Sequence, residues 1–328
     1  MREETISKAR IQRYSKILEK IKKEVGRVVV GQKVIVESIL RALISDGHVL
    51  VEGVPGIAKT LLIRALGEAT GCKTKRIQFT IDLLPSDILG LTTYNKKKGF
   101  VFVKGPVFAN FLIADEINRA SSKTQSALLE AMQEKMVTIS KTSYPLPLPF
   151  FVMATQNPIE SAGVNPLPEA QVDRFLFKLS MPYPSGEEER KIIKQNITLN
   201  KFEDFNIKSV TNYKKILEMQ KDVKKVYLSP EIEKYIVNLV TTTREKNKKL
   251  SMEKYIYLGS SPRASIGLFI ASKAQAMIEG KNYVTPNHVK IVAPDVLRHR
   301  ILLNYEGQAE NIKVDDIIKE LLSKTPVP

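Results

Sequence analysis

The chain has 328 residues, enough for about two domains and a sizeable core. It carries 51 Lys and Arg against 35 Asp and Glu, a formal net charge of +16, and its one cysteine, Cys72, excludes a disulfide framework and a cysteine-based metal centre. No apolar run approaches the roughly 18 residues of a membrane span, and Met1 to Arg13 lacks the apolar centre of a signal peptide, so the expectation is a cytoplasmic protein without membrane insertion.

Residues 5–24 read as an amphipathic helix with Ile11, Tyr14, Ile17, Leu18 and Ile21 on one stripe. Val28 to Gln32 then precede a second helix, Val34 to Ile44. The Val30-Gly31-Gln32 run is either a buried turn between helices or an apolar wall for a purine base. The apolar strand His48 to Glu52 runs into Gly53-Val-Pro-Gly-Ile-Ala-Lys-Thr60 and a helix, Leu61 to Ala69. This is a phosphate-binding loop, Gly-x4-Gly-Lys-Thr, with Ala58 in place of the last glycine. The turn is built from Gly53, Pro55 and Gly56, and its glycines let backbone N–H groups curl around an anion without Cβ clashes. The helix N-terminus adds its positive end. Lys59 brings a charge to the β- and γ-phosphates, and the Thr60 hydroxyl suits Mg²⁺. The methyl of Ala58 is expected to be tolerated at a negative φ.

Lys75 to Phe79 reads as a strand and Pro85 to Gly90 as a short helix. Leu91 to Tyr94 and Phe100 to Val103 form a hairpin whose tip, Lys96 to Lys98, is either a soluble turn or a charged finger for a substrate. The strand Phe111 to Ala114 ends in Asp115-Glu116. Ligands of open α/β sheets sit at the carboxyl ends of strands, and two carboxylates there suit a metal site, Asp115, beside a base for an attacking water, Glu116. Ser121 caps a helix to about Glu134, and a second hairpin pairs Met136 to Ile139 with Tyr144 to Leu148. The strand Phe150 to Ala154 carries Thr155-Gln156-Asn157-Pro158 at its end. Asn157 is either a turn former or a group that orients the water. A last core strand, Phe175 to Leu179, follows Arg174.

From Gly186 the pattern predicts helices only, near 187–197, 211–223, 230–246, 262–279 and 286–303. Ser229-Pro230, Ser261-Pro262 and Thr285-Pro286 each place a capping hydroxyl before proline at the first helical position. Arg263 falls in a first turn, where the helix dipole disfavours a cation; either a bound nucleotide relieves that cost or the side chain turns into water. Strands alternating with helices, then helices alone, imply an α/β domain followed by a helical one. The expected division is an N-terminal helix over 1–24, a nucleotide-binding domain over 25–185 and a helical domain over 186–328.

The motif order resembles that of AAA+ ATPases, and the longer strings resemble the MoxR family. These are Gly53 to Thr60, Phe111-Leu-Ile-Ala-Asp-Glu-Ile-Asn-Arg-Ala120, Lys123-Thr-Gln-Ser-Ala-Leu-Leu-Glu-Ala-Met-Gln133, Ala154-Thr-Gln-Asn-Pro-Ile-Glu160, Leu167-Pro-Glu-Ala-Gln-Val-Asp-Arg-Phe175 and Gly259-Ser-Ser-Pro-Arg-Ala264. The resemblance covers about residues 25 to 305. It implies a P-loop AAA+ sheet with hairpin insertions in helix 2 and before sensor 1, then an all-α lid. It implies Val30 and Gly31 near the adenine, and nucleotide contact along Gly53, Pro55, Gly56, Ile57, Ala58, Lys59 and Thr60 (Walker A). Thr60 and Asp115 would serve Mg²⁺, and Asp115 with Glu116 would be Walker B. Asn157 matches sensor 1, Arg174 an arginine finger donated to a neighbouring subunit, and Arg263 sensor 2. Ser161-Ala-Gly-Val-Asn165 departs from the family's usual Gly-Thr-Tyr-like run.

The resemblance further implies a ring-forming ATPase, expected as a hexamer, that couples Mg-ATP hydrolysis to chaperone-like remodelling of a partner complex. Such partners often carry a von Willebrand factor A domain, which this chain lacks. The alternatives are a DNA-dependent motor of the related helicase clade, which the net charge and the Lys96–Lys98 tip suit, and a non-hydrolysing nucleotide switch. The lysine pairs Lys22-Lys23, Lys214-Lys215, Lys224-Lys225 and Lys248-Lys249 stand beside glutamates at helical spacing, the pattern of a solvated face.

Overall fold

Three segments, Val49–Glu52 (β1), Phe111–Asp115 (β5) and Phe151–Gln156 (β8), are apolar on both faces and almost wholly buried. That is the signature of strands covered on both sides in a parallel sheet. The computed structural model describes residues 5–54, 56, 58–97, 99–139, 142–157, 165–195, 202–245 and 250–328. Pro55, Ile57, Lys98, Pro158 to Val164 and Lys248-Lys249, singled out in the sequence, lie outside them.

The order is α1 (Lys8–Gly26), α2 (Lys33–Ile44), β1, α3 (Lys59–Thr70), β2 (Thr74–Gln78), α4 (Pro85–Leu89), β3 (Gly90–Asn95), β4 (Gly99–Lys104), β5, α5 (Ser122–Glu134), β6 (Met136–Ile139), β7 (Thr142–Pro145), β8, α6 (Glu169–Val172) and β9 (Phe177–Ser180). After them come α7 (Gly186–Gln195), α8 (Tyr213–Asp222), α9 (Pro230–Thr242), β10 (Ile256–Leu258), α10 (Pro262–Ile278), α11 (Pro286–Leu297), β11 (Leu302–Leu303), α12 (Tyr305–Ala309) and α13 (Val314–Lys324). The chain forms two compact units. One holds Glu19–Phe175 and Leu179–Leu217; the other holds Met1–Leu18, Leu176–Lys178 and Glu218–Pro328.

The five-stranded sheet runs β2-β5-β8-β1-β9, and its strands β2, β5, β8 and β1 lie in the first unit. The β2–β5, β5–β8 and β8–β1 ladders are parallel, with Gln78 opposite Asp115, Ala114 opposite Ala154 and Leu50 opposite Ala154. One core cluster joins Leu50, Leu112, Ala114, Val152 and Ala154 of the sheet to Leu128, Leu129 and Met132 of α5. Both expected hairpins are present as antiparallel pairs, β3–β4 and β6–β7. They meet through Phe102 and Tyr144, whose rings stack at 4.3 Å and 23°. The other aromatic pair of β3–β4, Tyr94 and Phe100, is 67% and 79% exposed.

A buried junction fixes the strand ends opposite the phosphate loop. His48, just before β1, accepts from the Val152 N–H at Nδ1 (3.1 Å), and its Nε2 meets the Met132 carbonyl of α5 (3.1 Å). Next to it Lys135 pairs with Asp46, both residues having left-handed backbone after a helix end.

The second unit is helical, with Ser229 and Ser261 capping α9 and α10 through their hydroxyls as the Ser-Pro pairs predict. The expectation of helices alone after Gly186 needs one correction. The helix expected over 286–303 stops at Leu297, and β11 pairs antiparallel with β10 in a two-stranded ribbon. Strands of three and two residues are too short to show a period. No helix among the described residues is long and apolar enough to cross a membrane.

Candidate active site

β1, between β8 and β9, delivers the chain to Gly53 at the carboxyl edge of the sheet, and α3 starts six residues later. Gly56 adopts φ +83°, and a Cβ there would meet nothing within 4 Å, so the turn has open space on its side-chain face. The first turn of α3 contains no acidic residue, and no side chain caps it. Its N–H groups and its dipole are therefore offered outward, the arrangement that binds anions.

Ala58 corrects the expectation made for it. Its φ is +62° with ψ 26°, the left-handed conformation, and not a negative φ. The loop's path demands the backbone that glycine adopts freely, and alanine takes it at a cost of about 1–2 kcal/mol. Thr60 occupies the first turn of α3. Lys59 Nζ donates to the Gly53 carbonyl at 2.8 Å, which folds the lysine across the mouth of its own loop. Burial lowers the Lys59 pKa, while the charges of Asp115 and Glu116 pull it back up.

Both acids are engaged by neighbours that the sequence did not single out. Asp115 Oδ1 accepts from Thr155 Oγ1 at 2.6 Å. Its Oδ2 accepts from Arg76, at 2.6 Å from Nη2 and 3.2 Å from Nε. The same Nη2 donates to Gln78 Oε1 (2.7 Å), and Gln78 Nε2 donates to Glu116 Oε2 (2.8 Å). Arg119 Nε also reaches Glu116 Oε2, at 2.9 Å. The Glu116 N–H closes the circuit by donating to Thr155 Oγ1 at 2.9 Å. Glu116 itself sits at φ +56°, a strained conformation for a non-glycine residue of the kind found at working sites. The available signal was Arg76 and Gln78 at period two on β2. It became meaningful only once β2 was known to pair with β5.

Asn157 follows β8 directly and is 6% exposed, beside Thr155 on the same strand end. Arg174 is exposed between α6 and β9, a segment tied to α5 through Gln171 and Ser126 (3.2 Å). Val30 and Gly31 form the turn before α2. Gly31 has φ +81°, the left-handed backbone that favours glycine, with the Glu188 carboxyl close to its open face. Arg263 belongs to the other unit. It is exposed in the first turn of α10, where its N–H donates to the Ser261 hydroxyl (3.2 Å).

A parallel sheet ordered β2-β5-β8-β1-β9, an anion-ready loop leaving β1 and two acids at the end of β5, one strand removed across β8, define the AAA class of P-loop ATPases. Comparison with known proteins agrees. The family model for the ATPase family associated with various cellular activities (AAA) matches residues 48–177, and the AAA lid domain model matches residues 249–321. Chaperone MoxR1 of Mycobacterium tuberculosis is 46% identical over 310 residues, which cover 93% of this chain and 81% of that protein. YeaC of Bacillus subtilis is 44% identical over 313 residues, covering 95% of each. A crystal structure from Cytophaga hutchinsonii, described as a candidate ATPase, superposes with a TM-score of 0.90 at 45% identity over 97% of both chains. The chain belongs to the MoxR family of AAA ATPases.

Proposed function

We propose that this chain hydrolyses Mg-ATP and couples turnover to chaperone-like remodelling or activation of a partner protein complex. The observation that carries this reading is geometric: the uncapped N-terminus of α3, with Lys59 in its first turn, follows β1, and Asp115 and Glu116 follow β5 at the same carboxyl edge of the parallel sheet. That is where the polyphosphate needs a cation, a metal ligand and a base. Similarity to Chaperone MoxR1, whose name states its role, supports the second half.

In this reading the loop from Gly53 to Thr60 cradles the phosphates, Pro55 and Ile57 included, and Val30 and Gly31 flank the adenine. Mg²⁺ is a hard cation that keeps most of its waters and takes one or two carboxylates plus substrate phosphates. Thr60 and Asp115 fit that demand. Among the described residues no group of three or more His, Cys, Asp or Glu forms a metal cage, so the metal would be held together with the nucleotide. When bound, it neutralises charge that develops on the phosphate oxygens. Glu116 takes the proton of the attacking water, Asn157 orients that water, and Arg263 senses the nucleotide. Arg174 reaches a neighbouring subunit's γ-phosphate in a hexameric ring.

We assign nucleotide chemistry to residues 25–185 and lid movement to 186–328, with 1–24 as a separate helix. Compactness draws its own line, since the described residues of α7 and the segment from 202 to Leu217 fall in the same compact unit as Glu19–Phe175. The exposed Tyr94–Phe100 pair of β3–β4 offers an apolar contact for a client, which is a separate protein, such as one with a von Willebrand factor A domain.

Lys59→Ala tests the reading. The phosphates lose their cation while Asp115 and Glu116 remain, so nucleotide binding should fall at least about 100-fold in a fluorescent-ATP titration. Unchanged affinity would sink the loop assignment. Glu116→Gln keeps the shape and the hydrogen bonds but not the base, so it should bind ATP and retain it unhydrolysed. Normal turnover by that variant would remove Glu116 from the mechanism.

A further inference from the structure

Asp115 presents two carboxylate oxygens, and this chain occupies both. Thr155 takes Oδ1 through a buried hydroxyl, whereas Arg76 takes Oδ2 from a half-exposed position on β2. The two partners differ in kind. Thr155 is fixed on β8, and its hydroxyl is also needed by the Glu116 N–H. Arg76 is long and half-exposed, so its guanidinium can swing into water, whereas Asp115 is only 14% exposed and needs another cation in its place.

We propose that Arg76 is a positioning residue that stands in for the metal at Asp115. Its guanidinium holds Oδ2 ready and must give way when the metal's water shell claims that oxygen, so arginine and metal compete. The inference rests on the functional reading above and adds a residue to it. It also explains the self-neutralised circuit, in which Asp115 and Glu116 are matched by Arg76 and Arg119. Two unmatched carboxylates in one place would repel each other and attract stray cations. Because the Nη2 that holds Asp115 also donates to Gln78 Oε1, and Gln78 holds Glu116, displacement of Arg76 releases a tie on the second acid as well. Arrival of the metal at one carboxylate is thereby felt at the other.

The experiment is a titration of a fluorescent ATP analogue on the full chain at increasing Mg²⁺, read as the Mg²⁺ concentration that half-saturates metal-dependent nucleotide binding. Arg76→Met should lower that concentration about three- to five-fold, the size that a half-exposed ion pair supports. Nucleotide affinity in chelator should change less than two-fold. Arg76→Lys, which keeps the charge but cannot fork across Asp115 and Gln78, should fall between. Arg119→Met removes the same charge from the neighbouring acid and should shift the midpoint less than two-fold. An Arg76→Met midpoint equal to that of the unaltered chain overturns the inference and leaves the functional reading intact. An equal shift in Arg119→Met overturns it too, because overall charge would then account for the effect. Unaltered chain that binds no nucleotide at any Mg²⁺ concentration overturns the functional reading and this inference with it.

Discussion

Ala58 is the residue at which the loop's chemistry and its backbone disagree most plainly. A left-handed φ of +62° suits glycine, and the methyl group there stores strain at the entrance of α3. Ala58→Gly should therefore stabilise the protein by about 0.5–1 kcal/mol, the relief of strain less the extra chain entropy of glycine. Urea denaturation measures this, and a loss of stability would show that the methyl is not strained. The sequence singled out Lys59, Thr60, Asp115 and Glu116 because their residue types follow from the chemistry of phosphates and water, while Asn157 stayed open between a turn former and a water-orienting group until the resemblance gave it a role. It left Arg76, Gln78 and Thr155 unread. Their importance comes from which strands lie side by side, and an arginine on an isolated strand looks like any exposed arginine. Glu116 hides its left-handed backbone for a similar reason, since that conformation is set by the turn after β5 and by the Thr155 hydroxyl, not by its neighbours in sequence.

Among the elements, β1, β5 and β8 announced themselves as apolar runs, and the hairpins by their alternation. The β10–β11 ribbon had too few residues to announce anything. The junction at His48 carries a prediction of its own. Burial is the main cause that pushes its pKa down from 6.5 to about 4, with Lys135 adding to the shift and the Met132 carbonyl opposing it. The unfolded chain thus takes up a proton at higher pH than the folded one. The stability from this group is fully present above pH 6.5 and is lost progressively as pH falls from 6.5 to 4. The shift corresponds to about 3 kcal/mol. His288, lowered mainly by burial, acts in the same direction. Glu279 and Glu320, each held down to about 2 by hydrogen-bonded partners against the cost of burial, add losses only below 4.5. Urea midpoints measured from pH 7 to 4.5 should fall, and His48→Gln should be less stable at pH 7 with a shallower fall. A slope unchanged in that variant would assign the acid limb to other groups.

At the scale of the whole molecule the test is complementation between subunits. Arg174 is exposed, well removed in sequence from its own phosphate loop, and an arginine given in trans is worth about 10³ to 10⁵ in turnover in the best cases. Arg174→Ala should bind ATP nearly normally and hydrolyse it poorly. Mixed with Lys59→Ala it should recover part of the activity, because one variant keeps an intact loop and the other an intact finger. Specific activity of the unaltered chain should also rise with protein concentration. Mixtures no better than either variant alone would place the arginine's action within its own chain or nowhere. The stack of Phe102 on Tyr144 has a mechanical meaning for such an assembly. Two insertions from separate stretches of chain are riveted at one point, so a tug on the Lys96–Lys97 tip loads both ribbons as a single lever. Tyr144 lies opposite Val137 on β6, which follows α5 almost without a break. The joined hairpins thus continue into the same helix whose other end, through Gln125, donates to the Ile117 carbonyl in the turn after Glu116.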